Sequence, residues 1–158
     1  MRHGASASSA RVAGMLHDLA RLFSTQKLLD ESVARGLPID DYAREHPIVL
    51  HAPLGAALAA QDFGITDKAI MSAISKHTLG AAEMTPLDCI LYLADSLEPG
   101  RDFPGRRALE ALAFENLAQA MAQTIKSSFL FLKEKGLAAA PQSLQAANTF
   151  GLTADSWR

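Results

Sequence analysis

Hydrophobic residues recur at helical spacing along most of the chain. The first segment, covering about residues 8–23, places Val12, Leu16 and Leu19 one helical turn apart, so one of its faces is apolar. No stretch alternates β-branched or aromatic residues with polar ones, and alanine and leucine dominate. The pattern predicts an all-α protein.

Prolines, glycines and capping residues set the boundaries of the predicted helices. After the first segment, which Ser6 or Ser8 would cap, residues 26–35 form a helix ended by Gly36, and residues 38–45 a turn with a short helical piece. Further helices are predicted over 47–63, from a Thr66 cap through the stripe 70–77, over 85–95 and over 106–135. We expect residues 136–158 to form a peripheral C-terminal helix, starting after Pro141, and a frayed tail.

The bulk composition is that of a globular protein. The chain has 158 residues, of which 49% are hydrophobic and 20% charged, and its formal net charge is −2. No linker or internal repeat interrupts it, so we expect a single domain over 1–158. The near-neutral charge argues against a nucleic-acid polymer as partner, and no apolar run reaches the ~20 residues that a membrane span needs. The single cysteine, Cys89, and the lack of a signal-peptide pattern predict a cytoplasmic protein.

Candidate metal ligands interrupt the apolar stripes at four places, at His17-Asp18, His51, His77 and Asp95. Any one of them is more often an ordinary hydrogen-bonded histidine or aspartate. Together they are harder to explain, because inward-facing polar groups on separate helices must satisfy one another. A bound metal ion would do so.

The types of the candidate ligands restrict the metal. His17 and Asp18 are neighbours, about 100° apart around a helix, so both can reach one site. Asp18 has two oxygens and can bridge two ions, whereas a histidine binds one. Imidazole and carboxylate without thiolate favour Fe, Mn, Co, Ni or Zn over an iron–sulfur cluster.

Four stretches around these residues, in this order, resemble the HD-domain phosphohydrolases and more narrowly the bacterial YqeK family. They are Gly-Met-Leu-His-Asp-Leu-Ala-Arg (14–21), Leu-His-Ala-Pro-Leu-Gly-Ala (50–56), Ala-Ile-Ser-Lys-His-Thr-Leu-Gly (73–80) and Leu-Asp-Cys-Ile-Leu-Tyr-Leu-Ala-Asp-Ser-Leu-Glu-Pro-Gly-Arg (87–101). The similarity spans about residues 12–128. The dipeptide His-Asp alone is common, whereas the four stretches together are specific.

The resemblance implies a compact HD-type helical domain that cleaves diadenosine tetraphosphate symmetrically into two ADP. It also implies two divalent transition metals, iron first, with Mn, Co, Ni or Zn as alternatives. By the motif, Asp18 would bridge the ions, His17 and Asp95 would bind one, and His51 and His77 the other. Cys89 stands where the family often has lysine, so one phosphate contact is expected to be lost.

Residues flanking these ligands are candidates for contacts with the substrate. Arg21 and Arg101 would neutralise phosphate and act with Asp18 in catalysis, although arginines at such positions are often solvated surface residues. Thr78 and Gly80 would offer hydroxyl or backbone donors to phosphate oxygens.

One feature of the family pattern has no counterpart, namely a histidine on a helix before the His-Asp pair. His3 is 14 positions before His17, which is ~21 Å along a helix and too far to share an ion. We therefore expect the family's first helix to be missing, the ion at His17 to be weakly held and activity to be low. Exposure of Val12 and Leu16 would then favour a homodimer or a mobile N-terminus.

Two other functions are compatible with the same residues. A different HD phosphohydrolase would act on a nucleoside monophosphate, a deoxynucleotide or a signalling nucleotide. A metal-site relic without activity would bind no metal. Metal content and product analysis separate these possibilities.

Overall fold

The computed structural model describes residues 3–157, and its regular secondary structure in this range is helical, with no β-strand, which confirms the all-α prediction. The α-helices are α1 (Ala7–Leu16), α2 (Thr25–Ala34), α3 (Asp41–Glu45), α4 (His51–Phe63), α5 (Lys68–Lys76), α6 (Pro86–Ser96), α7 (Arg106–Glu115), α8 (Leu117–Glu134) and α9 (Pro141–Thr149). Short 3₁₀ helices cover Pro47–Leu50 and Ala154–Ser156. None of the described helices has the length and apolar character needed to cross a membrane.

The first helix is shorter than its hydrophobic pattern predicts. Ser6 caps α1 by accepting a hydrogen bond from the Ser9 amide, but the helix ends at Leu16 rather than at about residue 23. After Leu16 the backbone amides bond to the carbonyl oxygen three residues earlier, as Arg21 N does to Asp18 O at 2.9 Å. The chain therefore continues as tight turns. His17 and Asp18 therefore lie just after a helix end.

Two further helix boundaries differ from the predicted ones. In each case a side chain accepts a hydrogen bond from a backbone amide and so starts a helix at a different residue. Asn116 interrupts the helix expected over 106–135, since its backbone is extended (φ −142°, ψ 99°) and its side chain accepts from the Gln119 amide. Asparagine is favoured at this capping position and disfavoured inside a helix. Asp67, not Thr66, caps α5 by accepting from the Ala69 amide at 2.8 Å.

Helix α6 joins the two sides of the hydrophobic core. Its Leu87 and Leu91 pack with residues of α1, α4 and α5, whereas its Tyr92 and Leu93 pack with α7, α8 and α9. A capping box is present at its start, where the side chains of Thr85 and Asp88 accept hydrogen bonds from each other's backbone amides. Because α6 contacts both groups of helices, it fixes the C-terminal helices relative to those that carry the histidines.

The C-terminal segment is packed rather than frayed. Ala146 and Ala147 of α9 are buried in the core with α8. The ring of Trp157 meets that of Phe129 edge-on, with 4.7 Å between centroids. This aromatic contact holds the tail against α8. The tail is therefore ordered, whereas the sequence predicted a frayed one.

Candidate metal centre

Three histidines are oriented by the same local contact. His17 and His77 are the residues that end α1 and α5, and His51 follows the 3₁₀ helix Pro47–Leu50. In each, ring Nδ1 lies within hydrogen-bond distance of the carbonyl oxygen three residues earlier, at 2.8 Å for His17, 2.6 Å for His51 and 2.7 Å for His77. Since a carbonyl only accepts, Nδ1 carries the proton and Nε2 of the neutral ring carries a free lone pair.

The three Nε2 atoms and one carboxylate face a common point. The Nε2 atoms of His51 and His77 are 3.1 Å apart, and the ring of His77 lies edge-on to those of both His17 and His51. Asp18 follows directly and extends its carboxylate between them. We call His17, Asp18, His51 and His77 the His/Asp group.

The two oxygens of Asp18 face different histidines. Oδ2 is 3.6 Å from Nε2 of His17, whereas Oδ1 is 3.5 Å from Nε2 of His51 and 3.7 Å from Nε2 of His77. Two ligand atoms ~2.1 Å from one ion are separated by roughly 3.0–3.4 Å at octahedral or tetrahedral angles. The distances are close to that range on either side of the carboxylate.

Burial favours the neutral form of two histidines in this group. His77 is 1% exposed and His51 5% exposed, and burial lowers the pKa of both imidazoles because it penalises the charged form. The hydroxyl of Thr78, 3.2 Å from Nε2 of both rings, has one proton and can satisfy only one of them. Several lone pairs therefore converge on one point, and the available hydrogen-bond donors cannot satisfy all of them. A divalent cation would do so, and this geometry supports a metal at the His/Asp group.

A glycine allows the helices to approach closely enough to form the group. Gly55 is buried in α4, and a Cβ atom added to it would lie 3.1 Å from the carbonyl oxygen of His17. That contact is with backbone, which cannot rotate aside. The absence of a side chain at Gly55 therefore sets the distance between the end of α1 and the helix that begins with His51.

Comparison with known proteins assigns the chain to a family. A family model described as the HD domain matches residues 1–100, a range that includes the His/Asp group and Asp95. The chain belongs to the HD-domain family. It is 35% identical over 147 residues to the symmetrical bis(5'-nucleosyl)-tetraphosphatase of Bacillus subtilis, covering 93% of this chain and 78% of that protein.

Other HD-domain proteins are comparably similar. The chain is 31% identical over 146 residues to a protein of the same name from Halalkalibacterium halodurans, covering 92% of this chain and 78% of that one. A crystal structure from Clostridium acetobutylicum, described as a predicted HD superfamily hydrolase involved in NAD metabolism, superposes with a TM-score of 0.88. That likeness has 31% identity and covers 92% of this chain and 77% of the other.

Asp95 lies in the same cleft of the HD domain but does not sit within the His/Asp group. The cleft is about 840 Å³ in volume, and Asp18, His51 and His77 line it together with Asp95. The guanidinium of Arg101 holds Asp95 at two points, through Nε to the Asp95 carbonyl oxygen at 2.8 Å and through Nη2 to Oδ1 at 2.9 Å. The structure thus brings His17, Asp18, His51 and His77 together and places Asp95 beside them with one oxygen engaged.

The candidate substrate contacts divide into those in the cleft and one outside it. Arg21, Thr78 and Arg101 line the cleft, and Arg21 is exposed to solvent. Gly80 was expected to donate its amide to phosphate, but this amide donates to the carbonyl oxygen of Lys76 at 2.9 Å. Gly80 is buried at φ +72°, where an added Cβ would be 2.9 Å from Cβ of Ala146. Its role is therefore in packing of the loop against α9.

Sequence reasoning missed the far wall of the cleft. Thr124, Ser127 and Ser128 of α8 line it, together with Tyr42 and Phe103. The oxygen Oγ1 of Thr124 is buried without a hydrogen-bond partner in the described part of the chain. The signal in the sequence is a run of hydroxyl residues on an otherwise apolar helix, at Thr124, Ser127 and Ser128.

Proposed function

We propose that this HD-domain hydrolase cleaves diadenosine tetraphosphate symmetrically into two ADP, with two divalent metals held by His17, Asp18, His51, His77 and Asp95. Two relatives that match more than nine-tenths of the chain have symmetrical bis(5'-nucleosyl)-tetraphosphatase as their name. The proposal extends that activity to this chain because the residues of the His/Asp group lie within the similar region.

One observation carries the two-metal proposal, namely the orientation of the Asp18 carboxylate. Oδ2 faces His17, and Oδ1 faces His51 and His77. Because each oxygen of this carboxylate faces different imidazoles, the carboxylate is suited to bridge two ions. Asp95 would complete the side of His17, and the group retains imidazole and carboxylate ligands on both sides.

The protein residues have separable tasks in the proposed reaction. Divalent metals in such a site supply Lewis-acid activation of water and neutralise charge on phosphate. Asp18 and the histidines fix the position at which attack occurs, and Thr78 offers a hydroxyl beside His51 and His77. Arg21 and Arg101 line the cleft, where their positive charges would orient the phosphate chain.

The shape of the cleft is suited to a nucleotide. A volume of about 840 Å³ lies within the usual range for small-molecule sites, ~300–1,000 Å³. Ser127, Ser128 and Phe103 also line the cleft. These groups offer hydrogen bonds and an aromatic face to a nucleoside at one end of the phosphate chain.

The proposal is tested by product analysis. Protein freed of metal is incubated with diadenosine tetraphosphate after addition of Fe, Mn or Co, and the nucleotides are separated by chromatography. ADP as the sole product supports symmetric cleavage, whereas ATP with AMP contradicts it. Asp18→Ala should lower turnover at least 100-fold, since a bridging ligand is lost. Asp62→Ala, which removes an exposed carboxylate on α4, serves as the matched control.

Several finer properties belong to the same proposal. We propose iron as the native metal, a free nucleotide rather than a nucleic-acid polymer as substrate, and a cytoplasmic location. Homodimer formation is proposed because Met15 is 81% and Leu22 96% exposed, which leaves large apolar side chains in water near the His/Asp group. Metal analysis of protein purified without oxygen and sedimentation analysis test the first and last of these.

A further inference from the structure

Arg101 is tied to Asp95 by a two-point contact. Its Nε donates to the Asp95 carbonyl oxygen at 2.8 Å, and its Nη2 donates to carboxylate Oδ1 at 2.9 Å. Asp95 belongs to α6, and Arg101 belongs to the loop that follows this helix. The first contact is with backbone and does not involve the carboxylate, so loss of the second contact would leave the guanidinium with one anchor.

The second contact lies in the cleft of the His/Asp group. Asp95 and Arg101 line the same cleft as Asp18, His51 and His77. The side chain of Asp95 is only a quarter exposed, and a carboxylate shielded from water in this way is stabilised by a cation close by. In the described part of the chain Arg101 provides it.

A metal at Asp95 would compete with this contact. A metal ligand carboxylate directs its lone pairs to the ion, and two cations close to one carboxylate repel each other. The guanidinium is half exposed, which allows Nη2 to leave Oδ1 without unpacking the core. The bond from Nε to the backbone would keep the group at the edge of the cleft.

We propose that Arg101 is the counter-ion of Asp95 in the metal-free protein and that a divalent metal displaces Nη2, which then faces phosphate. This inference rests on the proposed function, because it takes Asp95 as a metal ligand. It makes Arg101 a phosphate-binding group only in metal-loaded protein. Anions would consequently be held poorly by the metal-free form.

Arg21 provides a matched comparison. It lines the same cleft and carries the same charge, but within residues 3–157 its guanidinium forms no hydrogen bond or ion pair. Removal of Arg21 changes the electrostatic field of the cleft and leaves Asp95 paired. Removal of Arg101 changes the field and also frees Oδ1.

The test measures the affinity of metal-free protein for Mn²⁺ by titration calorimetry, without nucleotide. Wild type, Arg101→Gln and Arg21→Gln are compared in 0.5 M NaCl, where screening acts over about 4 Å and suppresses the long-range effect of either charge. We expect Arg101→Gln to bind Mn²⁺ about two- to fivefold more tightly than wild type, the range expected for an exposed ion pair. Arg21→Gln should change the affinity by less than about 1.5-fold.

The outcomes separate this inference from the proposed function. Equal or weaker binding by Arg101→Gln relative to Arg21→Gln would overturn the exchange while leaving diadenosine tetraphosphate hydrolysis untouched. Failure of wild type to bind Mn²⁺, Fe²⁺ or Co²⁺ would overturn both. Thermal unfolding checks that the variants are folded. If Arg101→Gln is not, Arg101→Lys against Arg21→Lys is judged by the same comparison, because lysine lacks the two-point fork.

Discussion

At the scale of single residues, the central feature is a contact between a histidine ring and the backbone that recurs at three histidines. His17, His51 and His77 each direct Nδ1 to the carbonyl oxygen three residues earlier, in the last turn of a helical segment. The contact fixes both tautomer and ring direction before any metal is present. The rings are therefore already directed at the His/Asp group before a metal binds.

We predict that His77→Ala removes one of the two metal ions. Loss of this imidazole leaves His51 and Oδ1 of Asp18 as the remaining ligands on their side of the carboxylate. Metal analysis after reconstitution should fall from about two ions per chain to about one. His46→Ala removes an imidazole that packs on the ring of Tyr42 outside the His/Asp group, and should retain both ions. Two ions bound by His77→Ala would contradict the ligand assignment.

The candidate ligands of the metal centre could be predicted from the sequence, but the residues that pair with those ligands could not. Polar residues on apolar stripes indicated His17, His51 and His77, because burial demands a partner. The pairing of Arg101 with Asp95 depends on the path of the loop after α6, which hydrophobic periodicity does not encode. The same limit explains Gly80, whose amide is taken up by Lys76 in the turn after α5.

At the scale of helices, the centre depends on how closely α1 approaches α4. Gly55 provides the space, and its position inside a helix would otherwise favour alanine by about 1 kcal/mol. Helix α1 contains a second glycine, Gly14, where an added Cβ would meet nothing within 4 Å. Alanine at Gly14 would therefore change helix propensity alone, whereas alanine at Gly55 would also change the packing between α1 and α4.

We predict opposite effects of alanine at these two sites. Gly14→Ala should raise the free energy of unfolding by up to about 1 kcal/mol through helix propensity. Gly55→Ala should lower it by about 1 kcal/mol or more, since Cβ would press on the carbonyl oxygen of His17. Urea denaturation measures both values. A gain in stability for Gly55→Ala would show that the spacing between α1 and α4 is not tight.

Helix existence was easier to predict than helix ends. The periodicity identified α4, α5, α6 and α9 close to their observed ranges. It failed where a capping side chain or a tight turn overrides an apolar pattern, as at Asn116 and after Leu16. In both places the hydrophobic stripe continues across the break, because successive segments pack on the same core.

At the scale of the whole molecule, the cleft is shared by two groups of helices that α6 connects. The His/Asp group lies at the ends of α1 and α5 and the start of α4, and the opposite wall belongs to α8. Because α6 packs in both cores, a metal held near its Asp95 would couple the two sides. Metal binding should then stabilise the entire fold.

We predict that Mn²⁺ at 100 times its dissociation constant raises the melting temperature by about 5–10 °C. Binding to the native state alone contributes about 2.7 kcal/mol at that concentration, and a chain of this size gains a few degrees per kcal/mol. Differential scanning fluorimetry measures the shift. Asp62→Ala should keep it and Asp18→Ala should lose most of it. An equal shift in both variants would place the stabilising ion away from Asp18.

The most direct test of the account is a crystal structure of the metal-loaded protein with anomalous data collected at the metal edge. We predict ions bound through Nε2 of His17, His51 and His77, at about 2.0–2.2 Å, with the two oxygens of Asp18 directed to different ions. Nδ1 of each ring should stay on its backbone carbonyl. Anomalous peaks distant from these atoms, or rings turned to bind through Nδ1, would contradict the proposed centre.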